Sequence, residues 1–412
     1  MDIKSRFVIL LTSLLSLISI SAADSRETLR QLKAQLPEAK SSSDSLAVMV
    51  NIYDLSPLDV KTDYGIEVFK YAAKNGFDRM AADIVCNLAY VNYTNDSILT
   101  ILKDCATKIP DSKYRRIADT YVWLRQAGYF ARYSPLKERL ERIENVINEG
   151  HFRNVTDPYT TISELGSLCI LLGSSKVHRN IIVDYIDQLV ELVDTRPDCD
   201  FYPRNLIYNY AILIYTHLDK PDKAVATAIK RLKRLDDYLE KSAESGRPYY
   251  NLDFMYYITY IGLLKNYEVL DHEQIETYYA KAKAFEENTD DPLINEQFKE
   301  AKAYYLMANK KYKEAIPLLW DITTRSKGFY VNHRALMLTI KAAKLADDKD
   351  MLYKATEAYT ELLERQLETD AQEAYTKMQV LYDIDELQSR NNQLVEKQAE
   401  QKSQAKRFKL IA

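Results

Sequence analysis

Catalysis and metal binding need side chains that can exchange protons, attack a substrate or hold a cation, and this sequence gathers few of them. The five histidines, His151, His178, His217, His272 and His333, stand far apart, none with a second His or a Cys at ligand spacing. There is no H-E-x-x-H, no G-x-S-x-G, no Gly-rich phosphate loop and no dinucleotide fingerprint. The acidic pairs Glu286-Glu287 and Asp290-Asp291 fall at helix ends or in turns, where solvation and capping account for them. Cys86, Cys105, Cys169 and Cys199 form no C-x-x-C and read as small buried apolar residues. If an oxidising compartment joined two of them, Cys86 and Cys105, on neighbouring predicted helices, would be the pair. The sequence thus predicts no catalytic residue, no metal ligand and no cofactor.

Tyrosine is the one side chain with chemical potential that is abundant, at 32 residues. "RPYYNLDFMYYITYIG" holds Tyr249, Tyr250, Tyr256, Tyr257 and Tyr260. On a helix, Tyr256 and Tyr260 lie one turn apart on one face, and Tyr257 falls with Ile261 on the next. Such rings either line a groove and stack on a peptide or glycan, or fill the contacts between helices.

The elements that carry these residues are helical. Composition is 47% hydrophobic and 28% charged, which excludes global disorder. A net charge of -4 supplies no basic field, so no nucleic-acid partner is predicted for this chain. Only 9 glycines and no alternating Val/Thr-rich runs argue against a sheet protein. Helical segments instead follow in pairs, one turned at Asn75-Gly76 and another with Ser134 as N-cap before Pro135. In the second half Ala224, Ala315 and Ala355 recur with a period of about 40 to 45 residues, the range of an α-solenoid.

At these residues the chain resembles the tetratricopeptide repeat family. "YKEA" at Tyr312–Ala315 matches its aromatic-x-x-Ala step, and "PDKA" at Pro221–Ala224 matches it with Pro in place of the ring. Lys299 and Lys302 depart from the family's large apolar residues, and the period is long and uneven. The resemblance covers residues 204–368 and implies a protein or peptide ligand in a concave groove. Its register implies that Asn209, Leu213 and Thr216 face that groove in one repeat, and Glu300, Tyr304 and Met307 in a later one. Tyr256 and Tyr260 join them on the groove reading of the tyrosine cluster. The expected fold is an all-α α-solenoid of degenerate helix pairs, with 24–203 a further helical-repeat region.

Both ends carry addresses. Lys4 and Arg6, the apolar run Val8–Ile20, and Ser21 and Ala23 before Asp24 form an export signal over 1–23. Residues 369–412 form a long C-terminal helix without Gly or Pro. In a heptad frame Val380, Leu387 and Leu394 occupy one seam position, and Ile384 and Asn391 the other. That seam suits a two-stranded coiled coil whose Asn fixes register, or a solvated helix that packs on the last repeat. Lys402, Lys406, Arg407 and Lys409 then precede "LIA", as basic residues flank a membrane span.

Export signal, degenerate repeats and dimer-prone helix together resemble the exported sensor region of membrane-bound regulators of the Bacteroidetes type. The resemblance implies a periplasmic sensing module, homodimeric through its C-terminal helix and tethered through sequence beyond it. In that family a histidine kinase or a helix-turn-helix domain provides the output, and neither motif set is present here. The alternative expectation is a free envelope scaffold that binds partner proteins through its repeats.

Overall fold

The computed structural model describes residues 22–149, 158–174, 179–196, 199–244, 252–287, 292–325 and 329–411. Residues 1–21 of the export signal, Gly150, Tyr249, Tyr250, His151 and His178 lie outside the described residues. Among the described residues there are 17 α-helices and no strand, and neighbouring helices pack as in a solenoid-like repeat. The helices are α1 (Ala22–Gln35), α2 (Ser42–Leu55), α3 (Leu58–Lys74), α4 (Asp78–Val91), α5 (Asp96–Thr107), α6 (Ser112–Tyr133), α7 (Leu136–Glu149), α8 (Pro158–Ser174) and α9 (Arg179–Thr195). They continue as α10 (Phe201–His217), α11 (Pro221–Glu244), α12 (Leu252–Lys265), α13 (His272–Glu286), α14 (Pro292–Ala308), α15 (Tyr312–Arg325), α16 (Phe329–Leu345) and α17 (Lys349–Ile411). Two compact units divide them: Met1–Arg125 with Lys241–Tyr250, and Gln126–Glu240 with Asn251–Ala412.

One turn recurs between paired helices. Gly76, Asp219, Lys310 and Asp347 have φ of 75°, 55°, 58° and 54°, each just past the end of a helix. In the third case Lys311 N–H donates to Leu306 O at 2.9 Å and Lys310 N–H to Met307 O at 3.2 Å. The same two bonds occur at Phe77 to Ala72 (2.9 Å), Lys220 to Tyr215 (2.8 Å) and Asp348 to Ala343 (2.9 Å), each with its shorter-range companion. This left-handed cap satisfies the last carbonyls of one helix and redirects the chain into the next. Five residues beyond three of these caps sit Ala81, Ala224 and Ala315, all fully buried, where a small side chain lets the two helices approach. Leu352 takes that place after Asp347.

The pair α12 and α13 is built differently, and this makes the period uneven. A 3-10 turn, Tyr267–Val269, replaces the left-handed cap. Buried Asn266 anchors it, donating to Thr216 Oγ1 and to Gly262 O, both at 2.8 Å. Asp271 then starts α13 with a capping box, accepting from Gln274 N–H at 2.8 Å while Gln274 Oε1 accepts from Asp271 N–H at 3.1 Å.

Within the first unit, α2, α3 and α4 meet at Gly65. A Cβ there would lie 2.7 Å from both Leu88 Cδ2 and the Tyr53 ring, so only glycine permits the approach. All four cysteines are buried thiols outside any disulfide, Cys86 and Cys105 included.

In the second unit the pairs α8/α9, α12/α13, α14/α15 and α16/α17 pack closely, and α8, α10, α12 and α14 also pack on one another in succession. A continuous core runs from Ile212 through α12, α14 and α15 to Ala343. α17 is 63 residues long, about 95 Å. Its first turns pack on α16, where Ala355 is buried and Tyr359 Oη lies 2.9 Å from His333 Nε2. Farther along it packs on α7: Glu373, Thr376 and Val380 are buried there, Lys377 pairs with Glu144 at 3.2 Å and Lys137 with Asp383 at 2.9 Å. One helix thus ties the last helix pair of this unit to its first complete helix.

Candidate functional site

The residues expected to face a groove do not share a surface. Thr216, Tyr260, Tyr304 and Met307 are buried, and so present no face to a ligand. Thr216 accepts from Asn266, and Tyr260 stacks between Tyr256 (6.2 Å) and Tyr278 of α13 (5.9 Å). Tyr256 is half-buried and its hydroxyl donates to Asp236 of α11 at 2.6 Å. The two rings therefore point from α12 toward α11 and α13, and burial pushes the Tyr260 phenol up to about 12. This is the packing reading of the tyrosine cluster, with α12 apolar around most of its circumference.

Of the remaining candidates, Leu213 is exposed, and Asn209 and Glu300 are half-buried and engaged. Asn209 Oδ1 accepts from Arg231 at 2.9 Å, and Arg231 also donates to Asn205 at 2.8 Å. Arg231 is almost wholly buried and joins α10 to α11 through this pair of amides. Glu300 pairs with Lys265 at 3.0 Å across α12 and α14. Arg334 of α16 reaches the same region, donating to Lys265 O and lying 5.6 Å above the Tyr304 ring.

Sequence reasoning missed a ladder across α9, α10 and α11. Tyr215 donates to Asp187 at 2.5 Å, and Lys223 bridges to the other oxygen of that carboxylate at 2.5 Å. Tyr208 donates to Asp194, and Lys230 bonds it at 2.6 Å. Each of the three residue types repeats at a spacing of seven (Asp187/Asp194, Tyr208/Tyr215, Lys223/Lys230), which keeps it on one helix face, and that spacing was the available signal. Burial, then the hydrogen bond to each aspartate, raises both phenols well above their ordinary range. These tyrosines are held as neutral donors that fasten helices.

The seam of α17 is divided. Val380 is fully buried and Ile384 half-buried where α17 runs along α7, while Leu387 (65% exposed), Asn391 and Leu394 (59%) face solvent on the same side of the helix. The five were expected to form one partner-facing surface. The chain's own α7 occupies the first part, because the heptad spacing that suits a coiled coil also suits any antiparallel neighbour. The basic cluster Lys402–Lys409 lies where only the helical backbone is described.

Exposed apolar surface is concentrated on this same helix. Of the 20 large apolar side chains exposed among the described residues, ten belong to α17. No described helix is long and apolar enough to cross a membrane, and no group of His, Cys, Asp and Glu among the described residues is placed to hold a metal ion. Compared with protein-family models and with curated proteins, the chain matches none.

Proposed function

We propose that this chain is a non-enzymatic, exported helical-repeat protein, the periplasmic sensing and protein-interaction module of a signal-transduction regulator. The observation that carries the reading is α17: beyond Ile384 its seam continues bare through Leu387, Asn391 and Leu394, a stretch ready to pair with a second copy. Because the same helix is fastened to α7 and α16, a partner or peptide that shifts the helix pairs would shift the seam with them. Protein or peptide is the fitting ligand class for stacked helix pairs with engaged polar residues such as Glu300 and Asn209.

A free envelope scaffold is the second reading. The ion pairs Lys137–Asp383 and Glu144–Lys377 favour it, since they close the second unit on itself. Sedimentation of the full chain separates the two. The sensing module should dimerise, and Asn391→Lys should raise the dimer dissociation constant at least tenfold by placing like charges in the seam. A chain that stays monomeric at all concentrations overturns the seam and leaves the scaffold reading.

A further inference from the structure

α17 has a second apolar face, set apart from the seam. Leu367, Ala371, Ala374, Met378 and Leu381 follow one another at spacings of four, three, four and three, so they line one side of the helix. Leu367 and Met378 are 70% and 69% exposed, and Tyr375 and Tyr382 flank the line at 59% and 69%. Counting about 100° per residue, this line points away from the side on which Thr376 and Val380 are buried at α7. It is therefore free while the second unit is closed, whereas pairing along the full seam from Val380 requires α17 to leave α7.

We infer that this outward face is a docking surface for the same face of a second copy, running antiparallel. The face is self-complementary in that direction. Setting Ala371 against Ala374 of the second copy brings Leu367 opposite Met378, and the two-fold axis repeats both contacts. The central alanines let the backbones come close, and the larger pairs close each end. Charge selects the orientation. In the antiparallel register Asp370 meets Lys377 of the second copy on both sides of the axis; in a parallel register these residues would meet Tyr375 and Tyr382 and gain no opposite charge from the second copy. Lys377 already pairs with Glu144 at 3.2 Å and keeps 25% of its side chain exposed, so it can bridge both carboxylates.

Double electron–electron resonance on the full chain labelled at exposed Ser389→Cys tests this, the four native cysteines being buried. In the antiparallel register residue 389 lies well beyond the two-fold axis on each helix, and the labels should stand about 50 Å apart. A parallel seam dimer would bring them within about 20 Å. Met378→Glu should abolish the distance near 50 Å and Leu394→Glu should leave it in place, with helical melting unaltered in both because the positions are exposed. A short distance that Leu394→Glu abolishes overturns this inference and leaves the seam of the proposed function standing. A monomer at every concentration overturns both, and a dimer indifferent to Met378→Glu overturns this one alone.

Discussion

α12 and α17 are both marked by their apolar and aromatic content, yet the fold treats them in opposite ways. Tyr257, Tyr260, Ile261, Leu263 and Leu264 of α12 are buried within one continuous core. α17 leaves Tyr375, Met378, Tyr382, Leu387 and Leu394 each more than half exposed. The difference lies in distribution around the helix. α12 is apolar on most sides and is enclosed by α10, α11, α13 and α14, so its rings meet other rings. α17 carries narrow apolar lines separated by Glu, Gln and Lys, and beyond the turns packed on α16 one part of one line meets α7. Aromatic density thus marks packing here, and an uncovered apolar line marks a place where another molecule can dock.

The largest effect that tests the contrast is at Tyr257. Its ring is fully buried, 4.7 Å from Phe285, and its hydroxyl donates to Ile294 O at 2.8 Å. Tyr257→Ala leaves a cavity and removes the hydroxyl's bond to α14, and should lower unfolding stability in urea by about 3–5 kcal/mol. A loss below about 1 kcal/mol would mean that α12 is not the enclosed helix described above. Within α17 itself, Val380→Asp and Leu387→Asp sharpen the comparison. The first buries a carboxylate near Glu373 and should destabilise the chain by about 2–4 kcal/mol. The second sits in solvent and should change monomer stability by no more than about 0.5 kcal/mol. Equal effects would place both residues in one environment and remove the division of the seam.

These contrasts show what the sequence made legible. Helical period, sparse glycine and recurrent alanine led to the all-α repeat, and Ala224, Ala315 and Ala355 do stand at buried crossings. The heptad of α17 was also readable. Its partner was not, because apolar spacing specifies a contact face without specifying whether α7 or a second chain covers it. The groove residues failed for a related reason. A register set at Pro221–Ala224 and Tyr312–Ala315 fixes which residues share a helix face without specifying which neighbour covers it, and Thr216, Tyr304 and Met307 are covered. The Asp–Tyr–Lys ladder depends on three helices meeting at matched heights, and a single helix period does not report that.

A further predicted effect sets the irregular pair against the others. Where the left-handed cap is used, three of its four positions carry a side chain: Asp219, Lys310 and Asp347. Lys310 is the most strained choice, since a long side chain gains no local hydrogen bond there and its Cβ crowds the following carbonyl. Lys310→Gly should therefore stabilise the chain by about 0.5–1 kcal/mol, read as a shift of the urea midpoint at unchanged slope. Asn266→Gly at the corresponding end of α12 should do the opposite. It removes the two hydrogen bonds to Thr216 and Gly262 from a buried site whose backbone, at φ -110°, has no need of glycine. If both substitutions stabilised, the two turns would be one device with different residues. If they differ in sign, α12 and α13 are held by a side-chain anchor where the other pairs are held by a backbone cap, and the uneven period follows from that exchange.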